Sequence, residues 1–212
     1  MKNGGDFMSQ PLRIVFDFSC PYCYLAWGYF KKLRETEPLH DDWFGWEIHP
    51  EVPKIGRPLQ EVVQVADMAE RKQRLNALGA PVGIAPGEKV FVPNTRLALC
   101  ALEFAKGQQK QHAWIDAVYQ ASFVDQKNIG ELDVLLNIAR EINLDATELG
   151  QALADDRYLP VVLEHDRQCM EQQIEWVPTV FAGETKIIEG AFSFAEFTAV
   201  MKQKVLNDSN VL

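Results

Sequence analysis

The sequence predicts an α/β fold whose sheet is divided along the chain by an all-helical insertion. Strand-like runs fall only near the two ends, at 12–18 and 43–49 and again at 176–182 and 186–189. Between them one helical pattern follows another. With 212 residues, 47% hydrophobic and 24% charged, the chain is long enough to bury one core, alone or with an insertion. The expected division is a discontinuous α/β part at 11–58 and 156–206, a helical insertion at 59–155 and an N-terminal extension at 1–10.

The run 12–18 is apolar on both alternate faces, as a central strand covered on two sides requires, with Asp17 as the exception. Behind it, Leu25, Tyr29, Phe30 and Leu33 recur at helical spacing, and Lys31, Lys32 and Arg34 face water. Trp27 is expected to pack there rather than line a substrate groove. After a polar break at 35–42, a second strand at 43–49 is closed by Pro50 and Pro53. The insertion then reads as a helix at 59–78, a glycine- and proline-punctuated stretch at 79–93, a helix capped by Asn94 and running through Ala105, and three more at 111–123, 131–142 and 146–155. No second sheet is expected within it. A mixed-charge helix at 157–172 leads to a hairpin turning at Gly183-Glu184. Ser193 and Glu196 form a capping box for a last helix with Phe194, Phe197, Met201 and Val205 on its buried stripe.

The chemistry lies where the first strand gives way to the first helix, at Cys20-Pro21-Tyr22-Cys23. Pro21 suits the first helical position, because its φ is preset and its missing N–H would have had no partner. Cys20 is then the N-cap, its sulfur facing unpaired N–H groups and the positive end of the helix dipole. Such positions lower a thiol pKa from ~8.5 to roughly 3.5–7.5. Cys20 is therefore the expected nucleophile. Cys23, one turn on and more buried, is placed to attack a mixed disulfide on Cys20 and resolve it.

Two blander readings of this pair fit less well. A closed zinc site needs four ligands, and Cys100 and Cys169 form no second pair, while His40, His49, His112 and His165 are scattered. A structural disulfide across so short a loop constrains little unfolded-chain entropy. Cys100 and Cys169 themselves are expected to be buried small hydrophobes. His165 and Tyr119 receive no role.

The Cys20-Pro21-Tyr22-Cys23 motif after a strand, the long helical middle, and Trp176-Val177-Pro178-Thr179-Val180 followed by Gly190-Ala191 resemble the DsbA-like thioredoxin superfamily, over about residues 13–201. The resemblance is strongest to its cytosolic FrnE-type branch, with 2-hydroxychromene-2-carboxylate isomerases and kappa-class glutathione transferases as cousins. It implies a thioredoxin-like fold with the helical insertion as a wall beside the cysteines. It also implies that Cys20 attacks, Cys23 resolves, and a cis Pro178 faces them, leaving the Val177 backbone to pair with an extended substrate; Pro21 and Tyr22 join this substrate-contacting set. From residue pattern alone, a proline in a strand says only edge or special turn. The family usually has glycine before this valine, and a bulky Trp176 there is expected to narrow or re-aim the groove. The buried carboxylate of thioredoxins falls at Ile14 and does not carry over. Asp17 either substitutes for it or bonds nearby backbone at the strand end, the latter being the expected role.

The sequence-level reading is thus a thiol–disulfide oxidoreductase or isomerase acting on disulfides of proteins or small molecules. It implies no metal and no bound cofactor, with glutathione or a thioredoxin system as the source of reducing equivalents. The alternatives are a glutathione-dependent isomerase or transferase, against which the presence of both cysteines counts, and a redox-regulated chaperone or sensor. A net charge of −9 argues against nucleic acid or an anionic membrane as partner. The extension lacks the apolar core of a signal peptide, and no run approaches the ~20 apolar residues of a membrane span. The expected location is the cytoplasm, where structural disulfides are rare.

Overall fold

The computed structural model describes residues 12–63, 68–87 and 89–206. The extension at 1–10 lies outside the described residues.

Strand β1 (Leu12–Phe16) is followed by helix α1 (Pro21–Arg34) and strand β2 (Asp41–Gly45). β1 ends two residues earlier than its apolar run, because the Asp17 carboxylate turns back to accept the N–H and hydroxyl of Ser19 and closes a turn. β2 starts two residues earlier than its pattern and stops at Gly45. The early start is possible because Asp41 is bonded by Arg34 at 2.7 Å and by the Trp43 indole at 2.6 Å, and Asp42 by Lys106 at 2.8 Å. Tertiary partners thus admit two carboxylates to a strand that propensity excludes.

Strand β3 (Arg57–Pro58) immediately precedes the insertion. The single helix expected at 59–78 is instead a short α2 (Leu59–Val62), extended backbone at Val63, and α3 (Met68–Gly79). A 3-10 turn, Ala80–Val82, then leads into a stretch that ends in strand β4 (Phe91–Val92). β3 and β4 pair antiparallel and form a second, two-stranded sheet where none was expected, a two-residue ladder too short to leave a period in the sequence. The Ile84 N–H donates to the Gly79 carbonyl at 3.0 Å, and a Cβ on Gly79 would lie 1.9 Å from the Ile84 carbonyl oxygen, so only glycine seats this crossing.

Helices α4 (Arg96–Gly107), α5 (Gln111–Tyr119), α6 (Leu132–Glu141) and α7 (Ala146–Ala154) complete the insertion, with a π-helical turn, Gln120–Val124, extending α5. The N-cap of α4 is Thr95 rather than Asn94, whose side chain bonds the Arg96 N–H from one position further out. Helix α8 (Leu159–Glu171), strands β5 (Thr179–Ala182) and β6 (Thr185–Glu189), and helix α9 (Phe194–Met201) follow. Gly183, with φ +58°, makes the hairpin turn, and the Ser193–Glu196 capping box is formed.

The four-stranded sheet runs β2-β1-β5-β6. β1 is parallel to β2, with Leu12 opposite Asp41, and antiparallel to β5, with Leu12 opposite Ala182. Neighbouring residues of β2 show the two faces, since successive side chains alternate. Trp43 packs edge-on to Trp27 and Phe30 of α1 at 5.2 and 5.6 Å, and Phe44 stacks on His165 of α8 at 3.6 Å. Trp27 is buried and donates its indole N–H to Asp116, so its role is packing. α9 closes the α1 face through Phe197, 4.9 Å from Phe30. This is a mixed α/β thioredoxin-like core with a large helical insertion, and one continuous apolar cluster runs from β1 through α4, α5 and α6.

Candidate active site

Helix α1 begins as its residues require. Cys20 is the N-cap in extended conformation, φ −83° and ψ +118°, and Pro21 is the first helical residue. Both cysteines are free thiols, Cys20 8% exposed and Cys23 fully buried. That difference leaves Cys20 as the sulfur a substrate can reach.

The thiol of Cys20 lies below its ordinary pKa, first because the Cys23 side chain hydrogen-bonds to it. Burial opposes this, and the N–H groups of Cys23 and Tyr22 add to the lowering. Cys23 is pushed well above its ordinary value by burial, by the hydrogen bond it shares with Cys20, and by the neighbouring thiolate. The two thiols therefore separate into an ionisable outer sulfur and a protonated inner one.

Opposite them the chain makes a cis peptide bond between Val177 and Pro178. The Cys20 thiol donates to the Val177 carbonyl oxygen at 3.7 Å. The Val177 N–H has no protein acceptor among the described residues. The edge reading of Pro178 is thereby replaced: it precedes β5, and the strand expected from Trp176 begins only at Thr179. Trp176 is 65% exposed at the rim of a cleft of about 1250 Å³, whose walls include Ser19, Cys20, Pro21, Tyr22, Trp46 and Phe123.

Beneath the dithiol, Asp17 is completely buried. One carboxylate oxygen accepts the Ser19 N–H and hydroxyl, at 2.6 and 2.5 Å, and the other accepts the Thr95 hydroxyl at 2.7 Å. Burial raises its pKa, and these donors oppose the rise. Its charge in turn raises both thiols. The backbone-bonding role expected for Asp17 is present in its contact with Ser19, but Thr95 adds a partner far along the chain. The next residues of α4 continue the pattern: Asn94 donates to Glu47 and to the Val52 carbonyl, and Arg96 pairs with Glu47 at 2.6 Å. The start of α4 thus braces the floor of the site with three consecutive polar side chains.

Residues without a sequence-assigned role also meet here. Tyr119 is buried, stacks on Tyr24 at 5.1 Å and donates to the Asp17 carbonyl at 3.4 Å, and burial first, then the two thiols, push its phenol well above the ordinary range. Lys89 reaches the same cleft from the glycine- and proline-rich stretch, where no periodicity marks it. Cys100 and Cys169 are buried elsewhere, and burial pushes each up to about 12, which leaves them inert thiols. His165 is buried against Phe44, and burial lowers it to about 4.

Residues 12–202 match the family described as the DSBA-like thioredoxin domain. Among curated proteins, the uncharacterized protein YwbO of Bacillus subtilis (strain 168) is 27% identical over 191 residues, spanning 87% of this chain and 92% of YwbO. Among solved structures, the probable DsbA oxidoreductase SCO1869 of Streptomyces coelicolor superposes with a TM-score of 0.80 at 22% identity, covering 95% of this chain and 92% of that one. The cytosolic disulfide reductase DsbM of Pseudomonas aeruginosa with GSH does so with a TM-score of 0.66 at 15% identity, covering 94% and 95%. At these identities the two structures establish the shared fold. Among the described residues, no helix is long and apolar enough to cross a membrane.

Proposed function

Since the chain belongs to the DsbA-like thioredoxin-domain family, we propose that it is a thiol–disulfide oxidoreductase in which Cys20 is the nucleophile and Cys23 the resolving thiol. The Cys20 thiolate attacks one sulfur of a substrate disulfide, forming a mixed disulfide as the substrate S–S bond breaks and the departing thiolate takes a proton from solvent. Cys23 then gives up its proton and attacks Cys20, releasing the second substrate thiol and closing the Cys20–Cys23 disulfide. Two electrons have passed to the substrate, and the reverse sequence oxidises a dithiol.

The observation that carries this reading is the placement of Cys20 as the N-cap of α1, reachable from the cleft and facing the cis Val177–Pro178 bond, with Cys23 fully buried one turn behind it; the directions of their pKa shifts agree with it. An outer thiolate and an inner thiol are what attack and resolution require in turn. Val177 and Pro178 form the proposed docking edge, where the unpaired Val177 N–H offers a hydrogen bond to an extended substrate, and Pro21 and Tyr22 line the opposite side. The likeness to DsbM supports a cytoplasmic location and glutathione as a thiol co-substrate. A thioredoxin system is the alternative reductant. The chain boundaries at 58/59 and 155/156 are part of the same proposal.

The test is a redox titration of the dithiol in graded glutathione buffers, quenched by alkylation and read by mass, with Cys23→Ser as the control that traps the mixed disulfide. The expected result is one two-electron transition. A potential near ~−270 mV assigns a reductase or isomerase, and one near ~−120 mV an oxidant. If the pair never oxidises while the protein retains glutathione, the isomerase or transferase chemistry replaces this reading.

A further inference from the structure

The cleft over Cys20 contains a cation with no hydrogen-bond partner among the described residues. The ammonium nitrogen of Lys89 is shut off from solvent and makes no hydrogen bond among the described residues, although its stem is only partly buried. It sits over the face of Phe123, whose ring centroid lies 4.0 Å away. A cation over an aromatic face recovers only part of what hydration gave it. Arg71, on α3, lines the same cleft and lies near enough to disfavour the Lys89 charge, while Asp17 and Cys20 favour it. No ion pair engages either Lys89 or Arg71 among the described residues. Two cations from separate elements thus line one cleft in a chain whose net charge is −9.

Like charges brought together with no ion-pair partner among the described residues mark a site whose counterion arrives with the ligand. From this geometry, and resting on the oxidoreductase reading above, we propose that Lys89, with Arg71, forms an anion subsite that selects disulfides carrying a carboxylate close to the reacting sulfur. In the ligand-free protein the Lys89 ammonium is parked on Phe123. Its flexible four-carbon stem lets it turn off the ring to meet a substrate carboxylate while Cys20 engages the adjacent sulfur. Burial lowers the Lys89 ammonium to about 7, and an arriving carboxylate favours the charged amine, which takes up a proton from solvent near neutral pH.

Three small disulfides of similar size separate the terms: 3,3′-dithiodipropionate with anionic ends, cystamine with cationic ends and 2-hydroxyethyl disulfide with neutral ends. Their reduction is followed with the full-length protein under a fixed dithiol reductant, and kcat/KM is compared. The thiolate of Cys20, the buried Asp17 and the net negative charge all favour cystamine, so a preference for the dicarboxylate needs a local cation. The expected result is a wild-type preference for the dicarboxylate over cystamine. Lys89→Met lowers that ratio roughly tenfold, Lys89→Arg restores it, and Arg71→Met lowers it less. Robust turnover with a wild-type preference for cystamine, or a dicarboxylate preference that survives both Lys89→Met and Arg71→Met, overturns the subsite and leaves the oxidoreductase standing. Failure of the wild-type protein to reduce all three, no better than Cys20→Ser, refutes the oxidoreductase and the subsite together.

Discussion

Replacing Thr95 by valine tests whether the insertion supports the dithiol floor. The side chains have nearly the same shape, so the change removes one hydroxyl that donates at 2.7 Å to a completely buried carboxylate. Losing a hydrogen bond to a charged buried group costs roughly 1.5–3 kcal/mol, and a neutral one ~0.5–1.5 kcal/mol. Burial has already raised Asp17 above its unfolded value, so its ionisation weakens the fold as pH climbs through the raised pKa. Removing a donor that opposes that rise pushes Asp17 higher still. The Thr95→Val cost is therefore largest on the high-pH side of the Asp17 titration, where the carboxylate is charged, and shrinks toward the neutral-bond range on its low-pH side. For a chain of this size the cost near neutrality corresponds to a Tm lower by roughly 3–12 °C. Urea unfolding at several pH values measures it. Equal stability of variant and wild type, or a deficit that does not change with pH, would refute the bracing argument.

Other expectations follow from the same contacts. Cys23→Ala removes the largest influence lowering Cys20, so the pH midpoint of Cys20 alkylation by iodoacetamide moves up; an unmoved midpoint assigns the lowering to the helix N–H groups alone. The dicarboxylate-to-neutral ratio of kcat/KM falls as pH rises through about 7, because Lys89 loses its proton; a flat ratio contradicts the role given to Lys89. Phe197→Ala opens a void between Tyr29, Phe30 and Phe192, and chemical denaturation should show a loss of ~3–5 kcal/mol. A loss below ~1 kcal/mol would mean that α9 does not close the core.

Much of the site was legible because local rules coincide there. A strand end, an N-cap cysteine and a proline at the first helical position point to one geometry, and the cysteines stand as those residues dictate. The capping box at Ser193 and the turn at Gly183 were legible for the same reason. Pro178 was half legible: pattern marked it as anomalous, and the resemblance supplied the cis bond. What could not be read depends on distant partners. Asp41 and Asp42 join β2 because Arg34, Trp43 and Lys106 reach them from elsewhere in the chain. Thr95 finds Asp17, and Lys89 finds Phe123, only after the insertion folds back over α1. The helix expected through Val63 breaks although the flanking residues favour helix, and its periodicity gave no warning.

The crossing at Gly79 bears on how relatives of this protein should be compared. The segment that delivers Lys89 leaves α3 beneath a carbonyl that tolerates no side chain at position 79, because the backbone itself stands in the way. A relative with alanine or anything larger there must shift residue 84 by more than an ångström, and the following residues are carried with it. A helix-end position that meets no substrate thus becomes a diagnostic character, sorting sequences into those able to hold a basic group at this place and those that route the segment elsewhere. An inventory of relatives ordered by residue 79 should then separate substrate charge classes even where the two cysteines are identical.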